Sequence, residues 1–322
     1  MTFAGSPDRV EARLVPEAGY ELDTFEISGF PRTLSPALLR ALAQAAGATR
    51  ACAGILKRRR PHVVLGGGGY VAGPMVYAAW RRRVPTALTE ADAHLGLANR
   101  LAAPFARRVF LAYDIPGRHG GKYRVTGRPV PAAHRGVSQA EGRRRFGLPE
   151  NGRVLAFFGA LAGARSLNDF AVEAYAAAGP AVLHVSGERD YERLRALVHR
   201  DDYVIIASTT EFGAALAAPD LAVSRAGGTV WELAAAGTPS VLVPYPHATS
   251  DHQTLNGRHF ERGGGAVVLP EAELDRLPAL VDELLADPGR LRAMREAMLV
   301  MARPQAAEEI AEELIALAAA RR

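Results

Sequence analysis

The residues of this chain best suited to chemistry stand where short apolar runs give way to helical stretches. The richest junction is Leu221-Ala222-Val223-Ser224 followed by Arg225-Ala226-Gly227-Gly228-Thr229-Val230-Trp231-Glu232. Gly227 and Gly228 leave the amino end of the next helix open. Free amides there, together with the positive end of the helix dipole, suit a phosphate. Glu232 falls about one turn into that helix. From there its carboxylate can accept hydrogen bonds from a ribose diol, and the same position equally suits a solvated acid that complements the dipole.

Downstream, Pro244 to Asn256 (PYPHATSDHQTLN) is a second loop entering a helix, with His252, Gln253 and Asn256 clustered at the helix start. Amide side chains both donate and accept, as sugar hydroxyls require, although helix caps and surface polar groups account for such a cluster as well. His247 and His252 lie five apart with no evident third ligand, so the segment has no metal signature. Nearer the start, Val63-Val64-Leu65 runs into Gly66-Gly67-Gly68-Gly69-Tyr70-Val71-Ala72-Gly73-Pro74. The glycines allow close approach of backbone to a ligand, and a helix is expected after Gly73. Leu155 to Phe158 followed by Gly159 to Arg165 fits any tight strand-to-helix turn.

The elements that must position these loops alternate along the chain. Strands are expected at Tyr20 to Ile27, His62 to Leu65, Thr86 to Leu88, Arg108 to Leu111 and Tyr123 to Val125. In the second half they are expected at Val154 to Phe158, Ala181 to Val185, Tyr203 to Ile206, Leu221 to Ser224, Ser240 to Val243 and Ala266 to Leu269. Helical stretches between them signal parallel sheets with helices on both faces, an α/β fold. In such sheets ligands bind beyond the carboxyl ends of the strands. The alternation occurs twice, with a Pro- and Gly-rich break, GRPVPAAHRG, at Gly127 to Gly136. The expected domains are therefore 1–130 and 131–303, followed by a C-terminal helix in 304–322 that packs back on the first domain.

A chain of 322 residues, 48% hydrophobic and 23% charged, has the make-up of a soluble two-domain protein with a sizeable core. Its one cysteine, Cys52, excludes an intramolecular disulfide. No run of about 18 uncharged apolar residues offers a membrane span, and the first residues do not read as a secretory signal. The net charge of +5 rests almost wholly on arginine. Codon bias explains much of it, yet Lys57-Arg58-Arg59-Arg60, Arg81-Arg82-Arg83 and Arg143-Arg144-Arg145 could face an anionic lipid surface. No nucleic-acid module is evident.

Four segments together resemble the MurG family, which has the GT-B fold of two Rossmann-like doubly wound domains facing a cleft. They are GGGGYVAGP at Gly66 to Pro74, TEADAHLGLANR at Thr89 to Arg100, GALAGARSLN at Gly159 to Asn168, and the long segment Ser224 to Asn256. The resemblance implies an inverting glycosyltransferase that moves N-acetylglucosamine from UDP-N-acetylglucosamine to the muramyl 4-hydroxyl of lipid I, making lipid II, with no metal and no cofactor. On this likeness Gly227, Gly228 and Thr229 hold phosphate, Glu232 holds ribose, and Gln253 with His252 holds the sugar. Asp92, Gly163, Arg165 and Asn256 complete the donor side. Gly66, Gly67, Gly68, Gly69, Tyr70, Glu90 and Asn99 form the acceptor side, with Asp92 and Asn99 lining the cleft. The implied partners are lipid I, the anionic cytoplasmic face of the cell membrane and other cell-wall synthesis and division proteins, without nucleic acid.

The chain departs from the family pattern in having Asp92 in place of asparagine, Leu161 in place of serine and Pro131 in place of arginine. The family's first glycine loop, whose histidine is a favoured general base, has no counterpart here, so the catalytic base is unassigned and Asp92 is the substitute candidate. Thr2 to Gly5 reads as the end of a strand and a turn. The expectation is that Met1 is a mis-assigned start and that upstream codons encode a further strand and a loop like GTGGH. Two other readings remain: a GT-B transferase with another acceptor, and a catalytically silent membrane-associated binding protein. The lack of a GxGxxG after a first strand argues against a dinucleotide oxidoreductase.

Overall fold

Apolar runs bounded by glycine and polar turns become parallel strands, and the stretches between them become the helices that cover the sheets. The computed structural model describes residues 1–27, 36–159 and 164–320. Its contacts sort into two units, Met1–Thr126 with Glu308–Arg322, and Gly127–Ala307.

The first unit runs β1 (Phe3–Gly5), α1 (Glu11–Glu17), β2 (Leu22–Thr24), α2 (Pro36–Arg59), β3 (Val64–Gly66), α3 (Gly69–Arg81), β4 (Thr86–Glu90), α4 (Leu97–Ala102), β5 (Arg108–Leu111) and β6 (Tyr123–Val125). β1 pairs with β2, and β3 to β6 form a separate parallel sheet in sequential order. β1 and β3 are thus both edge strands, and both line one largely apolar groove of about 920 Å³. Phe3 on β1 and Leu65 on β3 are 38% and 41% exposed, unusual for apolar residues of parallel strands, which are normally covered on both faces.

The second unit contains α5 (Gln139–Arg145), β7 (Val154–Phe158), α6 (Arg165–Tyr175), β8 (Ala181–Val185), α7 (Glu188–Arg195), β9 (Tyr203–Ile206), α8 (Phe212–Ala217), β10 (Leu221–Ser224), α9 (Thr229–Ala236), β11 (Ser240–Leu242), α10 (His252–Arg262), β12 (Ala266–Val268), α11 (Leu277–Ala286) and α12 (Pro288–Met301). Its sheet is parallel throughout, in the order β12-β11-β10-β7-β8-β9. Counted from the first strand of the unit this is the doubly wound order 3-2-1-4-5-6, which reverses between β7 and β10. Residues 127–136, which composition marks as a linker, belong to this unit.

The last helix, α13 (Ala306–Ala319), buries Ile310 and Leu317 with Ala87 and Phe110 of the first unit. Glu313 accepts a hydrogen bond from Arg108 Nε at 2.9 Å and lies 3.7 Å from Arg124 Nε. Two of the three basic clusters are largely neutralised. Arg58 and Arg59 pair with Asp23, and Arg59 also with Glu21. Arg143 is buried on Asp220, and Arg145 pairs with Glu141 and Glu211. Arg81, Arg82 and Arg83 are exposed. They show no ion pair among the described residues.

A buried polar chain ties β8 to its neighbours. His184, wholly inaccessible, lies 3.0 Å from both Tyr203 Oη and Asn168 Oδ1. Asn168 Oδ1 can only accept, so Nε2–H of the neutral ring donates to it and Nδ1 accepts from the tyrosine hydroxyl. The other end of the Asn168 amide donates to the Ser186 carbonyl and to Asp190. Burial pushes the His184 imidazole down to about 3, partly opposed by the negative charge of Asp190. The unfolded ring titrates near 6.5. Below that pH the unfolded chain takes up a proton that the folded chain refuses, so the stability this group contributes is complete above pH 6.5 and is lost as pH falls toward 3. Chemical denaturation at stepped pH should show unfolding free energy dropping on acidification, by up to about 1.4 kcal/mol per pH unit from this residue. The His184→Gln variant should show a shallower slope between pH 6 and 4.5 (roughly the window set by the two titrations); an unchanged slope would refute the assignment.

Candidate active site

The switch point between β7 and β10 fixes where a ligand of the second unit belongs, because loops leaving these adjacent strands diverge to opposite faces of the sheet. Ser224 closes β10 opposite Phe158 at the end of β7, and Arg225-Ala226-Gly227-Gly228 carries the chain into α9. Val230, Trp231, Leu233 and Ala234 bury one side of this helix. It ends at Gly237, φ +70°, where the amides of Gly237 and Thr238 bond the Ala234 and Leu233 carbonyls, a Schellman stop. Its start carries no side-chain cap. The amides of Gly227, Gly228 and Thr229 find no backbone or side-chain acceptor among the described residues. The amino end of α9 is thus open, as Gly227 and Gly228 imply.

Arg225 holds this loop from behind. It is 7% exposed and donates to the carbonyls of Val243 and Pro244 and to Ser166 Oγ. It also pairs with Glu271 and stacks 5.5 Å from the Tyr245 ring. Gln253 accepts the Tyr245 amide on Oε1 at 2.9 Å, which turns its Nε2 toward Gly227. His252 donates from Nδ1 to the Thr249 carbonyl at 2.8 Å. Asn256 has a different place from the one its spacing suggests. It is completely buried, and Nδ2 donates to the Ala226 carbonyl. It braces the loop from below, where a sugar hydroxyl has no access. Arg165 opens α6 and lies 3.5 Å from buried Asp190. Gly163 and Leu161 lie outside the described residues.

Glu232 is half-buried, and its Oε1 accepts a hydrogen bond from His134 Nδ1 at 2.9 Å. His134 ends a short turn, Ala132–His134, and packs edge-on against Phe212, which packs in turn against Phe158. Gly213 permits this, since a Cβ there would collide with the Ala133 carbonyl. The second carboxylate oxygen, Oε2, is free of protein partners among the described residues, so it can accept from a ligand hydroxyl. Sequence reasoning missed both His134 and Arg225. The first sits in a segment that reads as linker, and the second reads as one arginine among many.

In the first unit, Gly68 and Gly69 adopt φ +90° and +67°, conformations that favour glycine, and α3 starts at Gly69 rather than after Gly73. Pro74 therefore falls inside the helix, where it forfeits one bond to the Tyr70 carbonyl. Gly66 is required by packing: a Cβ would stand 2.8 Å from Leu88 and 2.9 Å from Val76. Gly67 is open, and Tyr70 lies under the Arg9 guanidinium. Glu90 and Asn99 are buried. Glu90 accepts from the amides of Asp92 and Gly96, and Asn99 donates to Glu90 and to the Thr89 carbonyl. Both side chains shape the 91–96 loop that carries half-buried Asp92, and Asn99 also sits behind Gly68. No group of three or more potential metal ligands converges among the described residues.

A doubly wound sheet with open amides at its switch point and a first-turn carboxylate beyond them defines a nucleotide-binding α/β domain, here followed and preceded by elements of a second α/β unit. Comparison with known proteins makes this specific: the glycosyltransferase family 28 N-terminal domain matches residues 2–111 and its C-terminal domain matches residues 154–312. The chain belongs to glycosyltransferase family 28. It is 39% identical, over 99% of its length and 88% of the relative's, to the UDP-N-acetylglucosamine–N-acetylmuramyl-(pentapeptide) pyrophosphoryl-undecaprenol N-acetylglucosamine transferase of Salinibacter ruber. The protein of the same name from Mycobacterium sp. strain KMS is 39% identical over 97% of this chain and 86% of its own. The crystal structure of Acinetobacter baumannii MurG superimposes with a TM-score of 0.76 at 23% identity, covering 97% of this chain and 90% of that one, a likeness of fold.

The His134–Glu232 pair makes a measurable prediction. Removing the acid in Glu232→Ala should weaken nucleoside diphosphate binding by roughly 10- to 100-fold, the worth of a hydrogen bond to a charged group. His134→Ala should act in the same direction by less. In calorimetric titrations the double variant should be no weaker than Glu232→Ala, because the histidine acts through the acid; strictly additive losses would disprove the coupling.

Proposed function

We propose that this chain transfers N-acetylglucosamine from UDP-N-acetylglucosamine to the muramyl 4-hydroxyl of lipid I, forming lipid II with inversion at the anomeric carbon. The full-length likeness to relatives bearing that activity supports it. The observation that carries it is the set of unpartnered amides at Gly227, Gly228 and Thr229, set beside Glu232. The diphosphate rests on those amides, the ribose on Glu232, and the sugar on Gln253 and His252. Acceptor pyrophosphate faces Gly66 to Gly69. As the acceptor oxygen bonds to the anomeric carbon, the bond to the β-phosphate oxygen breaks and its electron pair leaves with UDP. The acceptor's proton passes to a general base or to water. Preorganised amides stabilise the departing charge, so this reading requires neither metal nor cofactor.

A polyprenyl-linked acceptor calls for a membrane surface. No helix among the described residues is long and apolar enough to cross one. The reading places the first unit peripherally on the anionic inner face. In its support, Trp80, Leu97 and Leu101 are 46%, 63% and 63% exposed on α3 and α4, which pack together. Arg81 and Arg100 are exposed on the same two helices, and Arg82 and Arg83 are exposed just past the end of α3. Apolar burial and basic charge together are what peripheral anchoring needs.

Purified chain incubated with labelled UDP-N-acetylglucosamine and lipid I should yield labelled lipid II. A chain with affinity for no uridine-diphosphate sugar would defeat the reading. For the membrane, Trp80→Ser with Leu101→Ser should weaken partition onto anionic phospholipid vesicles, read by co-sedimentation, roughly 30-fold, on the order of 2 kcal/mol of lost burial. Undiminished sedimentation would remove that surface from consideration.

A further inference from the structure

One cation at the nucleotide loop has no part in the roles assigned above. Arg128 stands on the segment that enters the second unit. Just before it, Gly127 holds φ +81°, and the space of its absent side chain is filled by Arg303, with the Trp231 ring 3.4 Å away. The path of the chain is thereby fixed one residue ahead of Arg128.

The guanidinium of Arg128 lies face-on over Gly228. A Cβ added at Gly228 would stand 2.6 Å from Cζ, 2.7 Å from Nη2 and 2.8 Å from Nη1. Near-equal distances to three atoms of the planar fork mean that its face, not its edge, covers the glycine. The guanidinium occupies the volume that a side chain at Gly228 would take. Arg128 is half-buried, and it bonds no carboxylate, carbonyl or hydroxyl among the described residues.

This arrangement is repulsive by itself. The amino end of α9 carries about half a positive charge from its dipole, and the amide hydrogens of Gly227, Gly228 and Thr229 add to it. The first-turn acid of the helix, Glu232, is engaged by His134. An anion at the loop reverses the balance, since it is attracted by the amides and the guanidinium together. The planar fork matches two oxygens of a phosphate, whereas a lysine offers only a point charge.

We propose that Arg128 binds the diphosphate of the donor, sharing it with the amides of α9 and offsetting the charge that develops as the bond electron pair moves onto the UDP oxygen. This rests on the donor reading above. The test titrates UDP and uridine separately, by calorimetry and ligand-observed NMR, against wild type, Arg128→Ala, Arg128→Lys and Arg128→Met, with unfolding midpoints measured in the absence of nucleotide. Arg128→Ala should lose roughly 10- to 100-fold in UDP affinity, the range for charge-assisted hydrogen bonds. Its uridine affinity should be unchanged, and its nucleotide-free midpoint unchanged or raised. Arg128→Lys should recover part of the loss and Arg128→Met none. UDP affinity within about twofold of wild type in Arg128→Ala, or full recovery in Arg128→Met, would overturn the assignment while leaving the donor reading intact. Wild-type chain that binds no UDP would overturn both.

Discussion

Amide hydrogens that a helix cannot use set the character of the loop between β10 and α9. Every α-helix begins with N–H groups lacking an acceptor in the helix itself, and side chains cap two of the described helices. Ser138 accepts from the Glu141 amide at the start of α5, and Asp287 accepts from the Arg290 amide at the start of α12. At α9 the capping position is Gly228, which has no side chain to give. Glycine in place of a capping side chain costs roughly a few tenths of a kcal/mol. Several helices of the chain start without a side-chain cap, and at α9 the open start coincides with the switch point of the sheet.

Keeping such a loop open requires rigidity from elsewhere, and the side chains that supply it face away from the crevice. Arg225 binds two carbonyls, a hydroxyl and a carboxylate beneath the loop, and Asn256 takes the Ala226 carbonyl. Both are buried. An unpaired guanidinium there would be costly, so its full set of partners is a condition of the loop's shape. Gln253 extends the same logic toward the ligand: one end of its amide is fixed by the Tyr245 amide, which leaves the other end aimed at Gly227. The preorganisation expected of a charge-stabilising site is traceable here to named bonds.

Much of this was legible in the residues themselves. Parallel strands covered on both faces appear as unbroken apolar runs, and Val154–Phe158, Ala181–Val185, Tyr203–Ile206 and Leu221–Ser224 occupy the bounds expected from sequence. Glycines before a helix marked the loops, because few other residues leave amides open or reach φ near +90°. What sequence could not show were contacts across chain separation. His134 meets Glu232 from 98 residues away, out of a segment whose prolines and glycines read as a break. Asn256 has the spacing of a ligand residue and the burial of a brace, a distinction that only burial makes. Gly73-Pro74 resembles a helix boundary in sequence, while the positive-φ pair Gly68-Gly69 sets the start of α3.

The two units solve a common problem by different means. After β10 a buried cation organises the loop by gathering carbonyls. After β4 a buried carboxylate, Glu90, does so by gathering amides, and Asn99 links it to the Thr89 carbonyl behind Gly68. In each case the charged group turns toward main chain and away from solvent, so the loop presents backbone rather than side chain to whatever it meets. Contact through backbone puts few demands on residue identity at the surface and strict demands on the residues beneath it. Substitutions at Glu90 or Arg225 should therefore disturb the backbone that each loop presents. The same reasoning separates Arg128 from both: its guanidinium lies over Gly228 and closes no bond beneath the loop among the described residues.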